Sequence, residues 1–189
     1  MPSSPVSEKC QKRVGCRGYS FTMPTATPPS HLIRVPSPIG RIELTADDTH
    51  VLSLRIERAG SLPHDDLDEN PNAVLQLAAA QLAEYFSGAR REFDLPVRLV
   101  GTPFQQAVWA ELNAIPFGGV LSYGEVGLST GRPTAGRAVG GAVGANPVPI
   151  IVPCHRILAS NRRITGYSGG NGIPTKQWLL AHEGIAYAP

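Results

Sequence analysis

The sequence predicts a two-domain α+β protein, a small sheet-and-helix unit over residues 31–100 followed by a helical unit over 101–189. Three observations predict it. The chain has 189 residues, 42% apolar and 17% charged, which is enough to bury a core and excludes wholesale disorder. Leu52, Leu54 and Ile56 alternate with Ser53, Arg55 and Glu57, the two-residue period of a half-buried strand. The second half carries two Ser/Thr-x-x-Glu/Gln motifs, Thr102–Gln105 and Ser122–Glu125, each the start signal of a helix.

Element by element, residues 1–30 are rich in Pro, Ser and Thr without hydrophobic period and read as a disordered leader, with Met23 as an alternative start. Strands are expected over Leu32–Val35, Arg41–Thr45 and Val51–Glu57, the first two joined by a Pro36–Gly40 turn. Residues 60–71 form a polar loop. A helix follows from about Ala73 to Ser87, with Leu75, Leu82 and Phe86 on one stripe and Gly88 as its stop. Phe93, Leu95, Val97 and Leu99 alternate as a further strand, which Pro96 confines to an edge.

Thr102 as N-cap with Pro103 at the first helical position starts a helix to about Ala114. Ser122–Glu125 starts a short one ending near Gly131. After Arg132-Pro133, Thr134 caps a third from Ala135 to about Gly144, so that helix, turn and helix resemble a helix-turn-helix. Ala135, Gly136, Ala138, Gly140, Gly141, Ala142 and Gly144 leave this third helix almost no bulk, although each interior glycine costs about 1 kcal/mol relative to alanine. Either it packs closely on another helix or its backbone must approach a ligand. Arg137 is its one long side chain.

Composition narrows the function class. No apolar run is long enough for a membrane span, and three cysteines (Cys10, Cys16, Cys154) make no disulfide framework, so a reducing cytoplasmic location is the simpler reading. The net charge of +2 hides an asymmetry: residues 31–100 hold 7 basic and 11 acidic side chains, whereas 101–189 hold 6 basic and 3 acidic. A basic second half either faces a polyanion or is a solvated surface. Cys10, Cys16, His31 and His64 lack metal-ligand spacing, so no metal and no cofactor is expected.

The chemistry concentrates after the rigid turn Asn146-Pro147-Val148-Pro149. Ile150-Ile151-Val152 is apolar on every face and reads as a buried strand leading into Pro153-Cys154-His155-Arg156. A cysteine there is either an inert core residue or a nucleophile whose proton goes to a nearby base. In an extended chain Cys154 and His155 would point to opposite faces, so they can cooperate only if the chain bends.

Gly144–Arg156, together with Thr102–Gln105, Ser122–Glu125, Arg137–Ala142, Thr165–Gly170 and Trp178–Gly184, resembles in order and spacing the O6-alkylguanine-DNA alkyltransferases. Ser37-Pro38-Ile39-Gly40 extends the resemblance to about residue 32. The resemblance implies a ribonuclease-H-like first domain and a winged-helix or helix-turn-helix DNA-binding second domain. It implies direct, single-turnover transfer of the alkyl group from O6-alkylguanine, and less efficiently O4-alkylthymine, to Cys154. His155 would be the base through a water, Glu183 its orienting acid, and Asn146 the brace of the turn. Tyr123 would supply a hydroxyl to the departing guanine, and the Ser168 amide would reach O6. Ile157 would accept from the exocyclic amine through its carbonyl, and Tyr167 would pack on the base. Arg137 would fill the stack left by a flipped nucleotide. Arg132, Thr134, Ala138 and Gly140 would face the minor groove of double-stranded DNA. The protein would act as a monomer.

Three positions depart from the family pattern: Ser160–Arg163 replaces a glycine-bearing hairpin turn, Asn171–Thr175 is variable in length, and Gly136 stands where alanine is common. Two rival readings are an alkyltransferase-like lesion-binding protein, a class that lacks the cysteine, and a thiol hydrolase built on Cys154, His155 and Glu183.

Overall fold

A computed structural model describes residues 28–189; the leader expected over residues 1–30, with Cys10, Cys16 and Met23, lies outside the described residues except for its last three. The first half is an antiparallel sheet of β1 (His31–Val35), β2 (Ile42–Ala46) and β3 (Val51–Ile56), covered by α1 (Ala73–Phe86). Ile42, Leu44 and Ala46 of the central strand sit in the core, and so do its polar residues Glu43 and Thr45. The expected polar loop accounts for Glu43, since His64 donates its backbone N–H to it and the Arg34 guanidinium donates to the Leu67 carbonyl, whereas Thr45 pairs with Ser53 of the neighbouring β3 at 2.7 Å. The loop covers the second face of the sheet at this point and supplies the buried Glu43 carboxylate with donors.

The alternation over 51–57 holds only in part. A bulge pairs Ala46 with Val51 and Thr45 with Ser53, so Leu52 is the extra residue and is half-buried, while Val51, Leu54 and Ile56 are buried. The helix stripe also differs from expectation. Leu75, Ala78, Leu82 and Tyr85 form the buried line of α1, and Phe86 is only half-buried. Asn72 caps its first turn and Gly88, at φ +80°, follows its end.

The strand expected over 93–99 does not form. Phe93, Leu95, Val97 and Leu99 do turn inward, but only Val97 pairs, as a single parallel bridge to Val51. Val51 donates to the Pro96 carbonyl and Arg98 donates to Val51, and Pro96 then has no N–H with which to extend the ladder. Farther along β3, Leu54 donates to the Pro147 carbonyl at 2.9 Å. The sheet edge is therefore closed by two segments, one of which leads directly to Cys154.

The second half contains α2 (Pro103–Asn113), β4 (Leu121–Ser122), α3 (Tyr123–Ser129), α4 (Gly136–Gly144), a one-turn 3-10 helix (Cys154–Arg156), β5 (Ile157–Leu158) and α5 (Ile173–His182). Both expected capping boxes are present, Thr102 with Gln105 and Ser122 with Glu125. The expected cap at Thr134 is not: Ala135 is the N-cap of α4 and no side chain bonds its first turn. Thr134 lies one residue too early for its hydroxyl to serve the N-cap position. β4 and β5 pair in parallel. One apolar cluster runs from β2 through Trp109, Val126 and Val139 to Cys154 and Leu179, so the two halves share a core.

Candidate active site

Ile150-Ile151-Val152 is buried as expected but is a turn rather than a strand. Val152 donates back to the Val148 carbonyl, and Ile150 sits at φ +75°, a backbone region that costs a β-branched residue on the order of 1–3 kcal/mol. Asn146 holds the turn from inside: its Nδ2 donates to the Val152 carbonyl at 2.7 Å and its Oδ1 accepts from the Val148 N–H at 3.1 Å. The chain then bends into the 3-10 turn, which rotates Cys154, His155 and Arg156 to separate neighbours instead of alternating faces.

His155 is completely buried, and its Nε2 donates to Glu183 Oε1 at 2.8 Å. That leaves Nδ1 as the acceptor of a neutral ring, and among the described residues it has no hydrogen-bond partner. Glu183 is the C-cap of α5, the end where the helix dipole disfavours a carboxylate. Five donors hold it there. Oε1 accepts from His155, from Arg156 Nη2 at 2.9 Å and from the Tyr85 hydroxyl at 2.8 Å, while Oε2 accepts from Arg156 Nε at 2.7 Å and the Gly118 N–H at 3.3 Å. Burial alone would raise the Glu183 carboxyl, but the bonds from His155 and Arg156 prevail and hold it well below the usual carboxylate range. Burial pushes the His155 imidazole below its ordinary value, with Glu183 opposing, so the ring is neutral near pH 7.

Cys154 is 3% exposed, and burial pushes its thiol up. The Asn146 amide, the Lys176 ammonium and the Tyr167 hydroxyl oppose that shift from three sides. The Tyr167 hydroxyl is itself buried with no well-formed partner among the described residues, and it faces the sulfur. Both groups are therefore neutral at rest near pH 7, Cys154 as a thiol and its chain neighbour His155 as an imidazole.

Cys154 lines a pocket of about 170 Å³ with Tyr123, Gly140, Val143, Gly144, Thr165, Tyr167, Ser168 and Lys176. This brings together Cys154, Tyr123, Tyr167, Ser168 and Gly140 of the expected set. Thr165 Oγ1 donates to the Tyr123 hydroxyl, and Ser168 Oγ donates to the Gly144 carbonyl at 3.1 Å. The Ile157 carbonyl already accepts from Lys176 Nζ, with one lone pair left over. A larger cleft of about 740 Å³ lies behind Ile150–Pro153 against Phe93, Trp109 and Phe117, and its lining contains neither Cys154 nor His155.

α4 forms one rim of the small pocket. It buries Val139, Ala142 and Val143, and the Trp109 indole donates to the Ala142 carbonyl at 2.9 Å. A Cβ added at Gly136, Gly141 or Gly144 would meet nothing within 4 Å among the described residues. Close helix packing therefore does not account for these glycines, and the small residues leave an open face. Arg137 and Ala138 are exposed on it, with Thr134 and Arg132 exposed just before it. The Arg132 guanidinium stacks over the Phe104 ring at 4.7 Å.

The hairpin at Ser160–Arg163 forms without glycine, because Arg162 adopts φ +62° and is tied to the Ala186 carbonyl at 2.8 Å. Tyr85, Lys176 and the Arg156–Glu183 bond lie outside the set that the family resemblance implies. Lys176 carried a usable signal, being the one lysine after Lys12 in a chain with 14 arginines. Tyr85 carried none, since an aromatic residue on a helix stripe reads as core.

Among the described residues no helix is long and apolar enough to cross a membrane, and no three His, Cys, Asp or Glu side chains cluster as metal ligands. Two family models match the chain: the ribonuclease-like domain of 6-O-methylguanine DNA methyltransferase over residues 32–99 and the DNA-binding domain of the same family over 103–185. A methylated-DNA–protein-cysteine methyltransferase of Mycolicibacterium paratuberculosis is 43% identical over 79% of this chain and 89% of its own length. That of Haemophilus influenzae is 40% identical over 80% and 85%. The crystal structure of Mycobacterium tuberculosis OGT in complex with DNA superposes with a TM-score of 0.72 at 41% identity, covering 81% of this chain and 92% of that one. With the two family models covering both halves, the second of them across Cys154, and relatives at 40–43% identity over about four fifths of the chain, the chain belongs to the 6-O-methylguanine DNA methyltransferase family.

Proposed function

We propose that this protein repairs DNA directly, moving the alkyl group of an O6-alkylguanine, and less efficiently of an O4-alkylthymine, onto Cys154. The observation that carries the reading is the position of Cys154 in a pocket well below the roughly 300–1,000 Å³ of ordinary ligand clefts, beside the buried His155–Glu183 pair and under the open face of α4. The substrate base enters that pocket by leaving the duplex, between Tyr123 and Tyr167. Cys154 Sγ attacks the alkyl carbon in line, the new S–C bond forms as the C–O6 bond breaks, and the thiol proton passes through a water to His155 Nδ1. Glu183 balances the imidazolium. The departing guanine takes a proton from the Tyr123 hydroxyl, while the Ser168 amide bonds O6 and the Ile157 carbonyl its exocyclic amine. The thioether is a poor leaving group, so each molecule reacts once.

The open face of α4 lies in the minor groove, with Ala138 and Gly140 allowing close backbone approach and Thr134 and Arg132 at the backbone. Arg137 fills the space that the flipped nucleotide leaves. The protein works as a monomer, and residues 31–100 scaffold the catalytic half. Intact-mass analysis after incubation with a duplex containing one O6-methylguanine tests the reading: one methyl per molecule, mapped to Cys154, is expected. Sustained turnover, or methyl on any other residue, refutes it.

A further inference from the structure

Glu183 Oε1 is shared by three donors, and among the described residues one of them makes the only hydrogen bond to this carboxylate from the first half of the molecule. The Tyr85 hydroxyl, on α1, donates to it at 2.8 Å. Tyr85 is completely buried and held on every side. Its ring packs against Phe93, Phe117 and His182 with centroids 4.9–6.2 Å away, and its carbonyl accepts from His182 Nε2 at 2.8 Å. The hydroxyl is thus aimed by packing, before any substrate arrives. It aims at the same oxygen that receives the His155 Nε2–H.

We propose that Tyr85 is a positioning residue for alkyl transfer, fixing Glu183 Oε1 and tempering how strongly that carboxylate draws a proton onto His155. The inference rests on the reading of Cys154 as nucleophile and His155 as its base. A hydroxyl donated to a carboxylate takes up part of its negative charge, so less is available to stabilise an imidazolium. The other charged or titratable groups facing this cluster are Arg156 and Cys154 on the 3-10 turn, Lys176 and His182 on α5, and Tyr167 against the sulfur. Arg156 and Lys176 both oppose a protonated His155, and Tyr85 acts in the same direction without carrying charge. Removing its hydroxyl strengthens the pull of Glu183 on His155, so protonated His155 persists to higher pH.

The test is the single-turnover transfer rate of the full-length protein on an O6-methylguanine duplex, measured across pH. Tyr85→Phe should move the acid limb upward by about half a pH unit, roughly threefold in rate on that limb, with DNA affinity within about twofold of wild type. Placing 3-fluorotyrosine at position 85 keeps ring and hydroxyl but makes a stronger donor, and should move the limb downward. If Tyr85→Phe does not fold, the fluorinated variant decides alone. Profiles that superimpose on wild type, or that shift the same way in both variants, overturn the inference. If the wild-type protein transfers nothing, the functional reading fails, and ¹⁵N titration of His155 then tests Tyr85 separately. A higher midpoint in Tyr85→Phe supports the contact, and an unchanged one overturns it.

Discussion

Replacing Arg156 by leucine separates the energetics of the buried cluster from its chemistry. Arg156 is 5% exposed and makes two bonds to Glu183, at 2.7 and 2.9 Å, and one through Nη1 to the Ile115 carbonyl. Two unit charges about 4 Å apart at an effective dielectric of about 20 attract by about 4 kcal/mol. Removing one member of a buried pair costs about 3–5 kcal/mol, because the other charge stays behind without its partner. Tyr85, His155 and Gly118 still bond the carboxylate, which favours the lower part of that range.

Urea unfolding at pH 7 should therefore show a loss of about 3–4 kcal/mol. The sign with pH follows from Glu183. Its folded value is depressed, so its contribution is fully present above the unfolded value near 4.3 and is lost as pH falls through the folded one. Without Arg156 the carboxyl rises and takes up a proton earlier, so the penalty should shrink between about pH 5 and pH 3. Glu183→Gln in the same background should recover about 2 kcal/mol at pH 7, since an amide needs no counter-charge. A penalty below about 1 kcal/mol, or one equally large at pH 7 and pH 3, would refute this account of the cluster.

Three further outcomes are expected. Arg137→Ala should slow transfer from duplex DNA strongly but affect reaction with free O6-benzylguanine much less, since only the duplex requires flipping; equal rate ratios on the two substrates would show that Arg137 acts on the fold or on Cys154. Gly170→Ala should destabilise by about 2–4 kcal/mol in thermal or urea unfolding, because φ is +51° and a Cβ would stand 2.7 Å from Thr175 Oγ1 and 2.9 Å from Ile56 Cγ2. Burial pushes Lys176 down to about 8 from an ordinary 10.5, so between those values the unfolded chain holds a proton that the folded one has released. Stability relative to Lys176→Met should rise by at most about 3 kcal/mol as pH climbs through that window, as read from unfolding curves at pH 7.5 to 10.5.

What the sequence by itself determined is what short-range chemistry encodes. Both capping boxes, the Gly88 stop and the first two strands need only neighbours within a few residues, and each lies within one residue of where the pattern puts it. The bond between His155 and Glu183 was legible too, though through the resemblance of whole segments and not through spacing. Tertiary structure decided whatever depended on partners far along the chain. The bulge at Leu52, the failure of residues 93–99 to become a strand and the turn at Ile150 each follow from who occupies the edge of β3 and how tightly Asn146 closes its loop. An uncapped α4 is tolerated because Val139, Ala142 and Val143 anchor it in the core. Only the assembled fold shows that Gly136, Gly141 and Gly144 of α4 face open space. Only the assembled fold brings Tyr85, 98 residues away, to the oxygen that His155 shares, because a carboxylate buried at a helix C-terminus takes its donors from whatever the core packs around it.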